Sequence, residues 1–215
     1  MKEKKYILFD FDGVIVNSLD LAFSINKQDK DVGYTLNDYL QLFRGNIFSH
    51  FKKQDVPQKT SAPNFHVQYE AGMLKLDCVP GMSEVIKSLA DSYSLIIISS
   101  TKEYIIKKFL EKHNLLGCFV AILGPETEKD KTKKIQMVFE NYQTNASSCL
   151  FVTDTLGDVV EATKAGVNSI GVTWGYHSRE VIEEGSPYAL VNTPQELKDL
   201  IVKSLCQLAS TPAMR

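Results

Sequence analysis

No stretch of this 215-residue chain is long and apolar enough to span a bilayer, and its first residues hold no signal-type apolar segment. No membrane association is therefore expected, and the cytoplasm is the expected location. Cysteine is sparse: Cys78, Cys118, Cys149 and Cys206 stand far apart and form no CxxC pair. That spacing excludes a zinc ribbon or thioredoxin-type motif and implies reduced thiols, with Cys149 a buried, inert one inside an apolar run. Neither sign of charge dominates, since the formal net charge is −2, so the balance gives no reason to expect nucleic acid or anionic lipid as partner. The lysine clusters (Lys2, Lys4 and Lys5; Lys129, Lys131, Lys133 and Lys134) lack the interleaved aromatics of a single-strand binding groove. Internal repeats and low-complexity tracts are also missing. What is present, 44% hydrophobic and 23% charged residues, suits one sizeable globular domain or a core carrying a small insertion.

The apolar residues come in short bursts. Tyr6–Phe9, Leu95–Ile98, Phe119–Leu123, Cys149–Val152 and Ser169–Val172 each have the length of a strand buried on both faces, as in a parallel sheet. Helix-like stretches over 102–113, 132–142 and 158–165 separate them, the last stopped by Gly166. The alternation predicts an α/β fold, a doubly wound, Rossmann-like parallel sheet with its chemistry at the carboxyl ends of the strands. Residues 18–79 break the rhythm. They offer no strand-like run but several helices, over 19–30, from Thr35 (whose Thr35-Leu36-Asn37-Asp38 resembles a capping box), over 46–54 and over 64–75. The expectation is a small inserted α-helical cap of residues 18–79 on a core of 1–17 and 80–215, with Pro80-Gly81 marking the return. A last helix is expected from the Thr193-Pro194-Gln195-Glu196 start to about Leu208.

Two of the apolar bursts end in carboxylates. Asp10 and Asp12 follow the first, and placing two like charges so close is costly unless a cation lies between them. Taken alone, Asp10-Phe11-Asp12-Gly13 is equally a solvated Asp-Gly turn. The fourth burst ends in Asp154 and Asp158, and a strand-to-helix turn would aim both at the region below Asp10. Dipole-favoured placement at a helix start explains Asp158 but not Asp154. Oxygen-only ligands suit a hard cation such as Mg²⁺, and no His or Cys cluster competes for a softer one. Ser99-Ser100-Thr101 closes the second strand, where hydroxyls and free N–H groups form an anion site or simply cap a helix. The run Lys129–Lys134 reads, alone, as a solvated helix start. Together the four elements point to phosphoryl transfer, which needs a nucleophile, a proton shuttle, a metal and donors for the phosphoryl oxygens.

In order along nearly the whole chain, these segments resemble the haloacid dehalogenase-like hydrolases. Asp10-Phe11-Asp12-Gly13-Val14 looks like the first family motif, Ser99 the second, a Lys near 131 the third, and Asp154-Thr155-Leu156-Gly157-Asp158 the fourth. Ala162, Ala165-Gly166 and Val172-Thr173-Trp174-Gly175, with the position of the cap, resemble the phosphoglycolate-phosphatase-like branch. The resemblance implies a Mg²⁺-dependent phosphatase acting on a small phosphorylated metabolite as monomer or homodimer. It makes Asp10 the nucleophile that forms an aspartyl-phosphate, and Asp12 the acid and base. It assigns Mg²⁺ to Asp10, the Asp12 backbone carbonyl and Asp154, with Asp158 orienting metal-bound water. Ser99 and the Ser100 N–H would hold the phosphoryl group, with a Lys neutralising its charge; Lys131 is favoured over Lys129. Thr153 stands where this branch usually has Gly, a change expected to alter only local packing, and no Pro follows either Lys.

Asp12 separates a phosphatase from a dehalogenase, because an ester oxygen needs a proton on leaving and a halide does not. The alternatives are a phosphosugar mutase on the same core and a non-catalytic, receiver-like phospho-binding module. Arg44 and His50 in the insertion, which also carries Lys52 and Lys53, and Trp174, Tyr176 and His177 after the fifth strand, are further candidates to border the site. Arg44 and His50 read first as members of an exposed helix face, and Trp174 equally as a packing residue.

Overall fold

A computed structural model describes residues 4–28, 30, 33–51 and 65–208. The first strand, β1 (Tyr6–Phe9), leads through Asp10–Val16 into helices α1 (Leu19–Lys27), α2 (Leu36–Gln41), α3 (Ile47–Phe51) and α4 (Phe65–Met73). Then follow α5 (Met82–Ala90), β2 (Ser94–Ile98), α6 (Glu103–Lys112), β3 (Phe119–Leu123), α7 (Lys131–Tyr142), β4 (Cys149–Thr153) and α8 (Leu156–Lys164). The chain closes with β5 (Asn168–Val172), α9 (Arg179–Glu183), β6 (Ala189–Val191) and α10 (Pro194–Leu208). The six strands form one sheet of order β3-β2-β1-β4-β5-β6, and every pairing is parallel. Order reverses between β1 and β4, where such sheets open a crevice at their carboxyl ends.

Residues of β1, β2 and β4 alternate between two buried faces, which is why those apolar runs are unbroken. Strand β3, expected to be buried on both faces, is an edge strand buried only at Phe119 and exposing Val120. Ile7, Phe9, Leu95, Ile97, Leu150 and Val152 share a core with Val85 and Ile86 of α5, Phe109 of α6 and Leu197 of α10. Tyr6, Leu8, Ile96, Ile98 and Phe151 pack with Ile135 and Val138 of α7 and Ala162 of α8 on the other face. Each fully buried side chain of this kind contributes about 1.5–3 kcal/mol. Phe9 is level with Ile97 on one side and Val152 on the other. This register brings Asp10, Ser99 and Asp154 to one edge.

Between β1 and β2 the described residues add no strand to the sheet. The outgoing and returning chains lie side by side, with an antiparallel bridge between Val16 and Cys78 and a bond from Val79 N–H to the Ile15 carbonyl at 2.9 Å. Thr35 and Asp38 make a reciprocal capping box at the start of α2. The stretches expected over 19–30, 46–54 and 64–75 are helical at Leu19–Lys27, Ile47–Phe51 and Phe65–Met73; Lys52, Lys53 and the rest of the second stretch lie outside the described residues. Gly166, at φ 77°, follows α8 as expected. At α10, Thr193 Oγ1 accepts the Glu196 N–H, but the Glu196 carboxylate accepts from Asn192 N–H, one residue before a reciprocal box. The sequence reading missed α5, β6 and α9; the last two are 3 and 5 residues long, too short to show a period. Among the described residues no helix is long and apolar enough to cross a membrane.

Candidate active site

Strand geometry delivers the first carboxylate. The Asp10 N–H donates to the Val152 carbonyl at 2.9 Å, so β1 stays paired until its last turn aims the Asp10 side chain over the sheet edge. Its Oδ1 accepts the Phe11 N–H at 2.7 Å, and its Oδ2 accepts from Lys131 Nζ at 2.8 Å. The same ammonium reaches Asp158 Oδ2 at 2.6 Å, and all three side chains are buried. Lys131 opens α7, whose start is fixed by Asp130 accepting the Lys133 N–H. The other candidate, Lys129, is exposed and lies over the Phe48 ring. The expectation of a solvated lysine run is therefore corrected: Lys131 and Lys134, three apart on one helix face, point inward.

Burial opposes a charge on Lys131, yet Asp10 and Asp158 outweigh it and hold the ammonium well above the ordinary lysine range. For Asp158, burial pushes the other way, but Lys131 foremost, with bonds from Asp10 and Thr153, keeps the carboxyl below its usual value. Asp10 is raised well above its usual value, by burial first; Lys131 opposes this, and the neighbouring carboxylates add to it. Thr153 Oγ1 donates to Asp158 Oδ2 at 2.8 Å. The Thr at that position does more than alter packing, because it holds the carboxylate that holds Lys131.

Asp154 faces the same space. Its Oδ2 accepts the Tyr176 N–H at 2.7 Å, while its Oδ1 is buried and accepts nothing among the described residues. Burial raises its carboxyl to about 7, with Asp158 adding to the shift. Gly13 and Gly175 make room for this group: a Cβ on Gly13 would lie 1.8 Å from Asp154 Oδ2, and one on Gly175 would lie 2.3 Å from it. Gly13 also needs its freedom at φ 71°. Lys131 pairs with two of the three buried carboxylates, Asp10 and Asp158, while Asp154 has one orphaned oxygen; both features fit a divalent, oxygen-seeking cation. No three His, Cys, Asp or Glu side chains converge as ligands among the described residues. A metal here would draw on the Asp10 and Asp154 carboxylates and a backbone carbonyl, with Asp158 engaged by Lys131 and Thr153.

Asp12 points away from this cluster. Its Oδ1 accepts from Ser18 Oγ at 2.6 Å and from Tyr69 Oη, and its Oδ2 accepts from Thr101 Oγ1 at 2.6 Å. Ser18 occupies the N-cap position of α1 yet makes no side-chain cap bond, because its hydroxyl is turned to Asp12. Tyr176 Oη lies 3.1 Å from Ser18 Oγ. Burial first, then Asp12, raises the Tyr69 and Tyr39 phenols, and burial first, then Tyr69, raises Tyr176, so all three stay neutral. Sequence reasoning missed Ser18 and Tyr69; an aromatic on an inserted helix carries no signal that it reaches a carboxylate some 57 residues earlier.

Ser99 is fully buried, and its Oγ accepts the Thr101 N–H at 3.0 Å. Ser100, beside it, is partly exposed. The Ser99 carbonyl accepts from Lys134 Nζ at 2.6 Å, a second residue the sequence reading passed over. Burial foremost, then the Lys131 charge, lowers the Lys134 ammonium to about 8. Below that pH the folded protein carries a buried charge; between about 8 and the ordinary 10.5 only the unfolded chain is protonated, so stability rises with pH. Relative to Lys134→Met, the wild type is expected to gain about 2 kcal/mol of unfolding free energy between about pH 7.5 and about pH 9.5. Urea titrations at the two pH values check this, and an unchanged difference contradicts it.

Of the remaining candidates, Arg44 and His177 tie residues between β1 and β2 to the rest of the chain, while Trp174 ties the segment after β5 to the one after β1. Arg44 pairs with Glu184, and Trp174 Nε1 donates to the Val14 carbonyl at 3.2 Å. His177 Nδ1 accepts the Leu156 N–H at 3.0 Å, leaving Nε2–H to donate to the Leu40 carbonyl at 3.0 Å; burial lowers its pKa first of all. Asn46 donates to the buried Glu161 at 2.9 Å, and Glu161 also accepts the Lys131 N–H at 3.0 Å. The His50 side chain lies outside the described residues.

A model of the haloacid dehalogenase-like hydrolases matches residues 7–172. The chain is similar to a phosphoglycolate phosphatase of Synechococcus elongatus, 26% identical over 94% of this chain and 99% of that one. It is 24% identical to one of Vibrio parahaemolyticus, over 93% and 97%. Among solved structures, one titled a predicted phosphatase from Clostridium acetobutylicum superimposes with a TM-score of 0.74 at 25% identity, covering 93% of this chain and 99% of that one.

Proposed function

The chain belongs to the haloacid dehalogenase-like hydrolase family, and from that premise we propose that it is a Mg²⁺-dependent phosphatase of small phosphate monoesters. One observation carries this reading. Asp10 lies in the buried Lys131–Asp158 cluster, whereas Asp12, two residues on, is held apart by hydroxyls. Nucleophile and proton shuttle are thus separated within one turn of chain.

In the proposed reaction a carboxylate oxygen of Asp10 attacks phosphorus and the bond from phosphorus to the leaving oxygen breaks. Asp12 gives that oxygen its proton. Water then attacks the phosphorus of the aspartyl-phosphate, Asp12 takes the water proton, and the bond to Asp10 breaks to release phosphate. Mg²⁺, held by Asp10, the Asp12 backbone carbonyl and Asp154, would supply charge neutralisation for the carboxylates and phosphoryl oxygens. Lys131 neutralises and orients Asp10, Asp158 with Thr153 holds Lys131 in place, and Ser99 with the Ser100 N–H binds the phosphoryl group. Residues 18–79 act as a cap over the carboxyl edge of the sheet, with the core formed by 1–17 and 80–215. The relatives' names make phosphoglycolate the first ester to try. The cytoplasm is the proposed location, and a monomer or homodimer the proposed state.

Turnover of p-nitrophenyl phosphate with added Mg²⁺ tests the reading. Asp12→Asn is expected to cost roughly 10²–10⁴-fold with a poor leaving group such as phenyl phosphate. Full activity in Asp12→Asn contradicts the proton role, and no turnover of any phosphate ester despite bound Mg²⁺ favours a binding module.

A further inference from the structure

The three hydroxyls on Asp12 are not spread evenly over its two oxygens. Oδ1 accepts from both Ser18 and Tyr69, which fills the two lone pairs of that oxygen. Among the described residues Oδ2 accepts from Thr101 alone, which leaves one of its positions for a proton. Thr101 directly follows Ser99 and Ser100 at the end of β2, so Oδ2 is the oxygen on the side assigned to the phosphoryl group. A carboxylic acid that gives up a proton needs one oxygen to carry the hydrogen and the other to accept. With Oδ1 filled by two donors, that hydrogen sits on Oδ2.

The donors come from different parts of the fold. Thr101 belongs to the core, and Ser18 starts the insertion, with Tyr176 Oη at 3.1 Å behind it. Tyr69 alone comes from α4. Its ring stacks on Phe65, at 5.2 Å between centroids and 15° between planes, and the residue is 3% exposed. One residue on, Glu70 accepts from Lys108 Nζ of α6. The phenol is therefore placed by packing and by an ion pair to the core, and Oδ1 has both its donors only when α4 is seated there.

We infer that Tyr69 is a positioning residue which, with Ser18, occupies Oδ1 of Asp12 and so assigns proton transfer to Oδ2. The inference rests on the reading of Asp12 as proton shuttle and adds the residue in the insertion that orients it. It makes leaving-group selectivity a property of α4: an ester whose leaving oxygen needs a full proton depends on Tyr69, and one with a stable leaving anion depends on it little.

The test compares Tyr69→Phe with wild type, in the presence of Mg²⁺, on phenyl phosphate and p-nitrophenyl phosphate, which share a ring but differ in leaving-group basicity. Loss of one hydrogen bond to a charged group is expected to lower kcat/KM about 10-fold for phenyl phosphate and only about 2-fold for p-nitrophenyl phosphate. The p-nitrophenyl rate also reports that the variant is folded. Equal losses on both esters, or no loss on either, would overturn the inference and leave the phosphatase reading standing. A wild-type enzyme silent on both esters would overturn the two together.

Discussion

Lys131→Met is expected to lower phosphatase turnover by roughly 10²–10³-fold, the scale set by removing one preorganised donor from a site of developing charge. The same change is expected to destabilise the fold by about 3–5 kcal/mol near neutral pH, because it strips the shared cation from buried Asp10 and Asp158. The pH dependence has a definite sign. In the wild type Lys131 heads the influences that hold Asp158 below its usual value against burial. Without Lys131, burial raises that carboxyl in the folded state, so the penalty is full above the raised value and shrinks as pH falls and the folded protein takes up a proton. Urea unfolding of variant and wild type should therefore diverge near about pH 8 and converge towards about pH 5. A gap that is constant or widens on acidification would show that Lys131 does not neutralise these carboxylates.

Asp10→Asn is expected to abolish turnover, by at least roughly 10⁴-fold, as loss of the nucleophile does in other enzymes with covalent intermediates. Stability should not follow activity. Burial, together with Asp158 and Asp154, already holds the Asp10 carboxyl well above its usual value, so an amide of the same shape removes repulsion from the metal-free protein. Thermal unfolding in a chelator should place the variant no lower than the wild type. A variant that is both inactive and markedly less stable would make Asp10 a structural residue rather than a catalytic one.

The legible parts of this molecule are those in which local sequence and global role agree. Tyr6–Phe9 reads as a buried strand because both sheet faces are covered, and Asp10 stands out because nothing apolar excuses a carboxylate there. Thr35 and Asp38 announce α2 because the box that caps it is a three-residue pattern. Lys134 was hidden because a lysine aimed at an inner carbonyl looks, in sequence, like one aimed at water. Tyr69 and Ser18 were hidden for another reason: their partner Asp12 is brought to them by the fold of the insertion, which no spacing encodes. The role of Thr153 was underrated because its importance lies in the Asp158 bond rather than in its volume. Gly13 was visible as part of a motif, but only the packed structure gives its reason, the Asp154 carboxylate pressed where a Cβ would be.

Whether Asp10 carries the phosphoryl group decides the account most directly. Enzyme quenched during turnover of p-nitrophenyl phosphate and reduced with borohydride should contain homoserine in place of Asp10, the mark of an acyl phosphate at that carboxyl. Homoserine at Asp12, Asp154 or Asp158, or none anywhere while phosphate is being released, would contradict it.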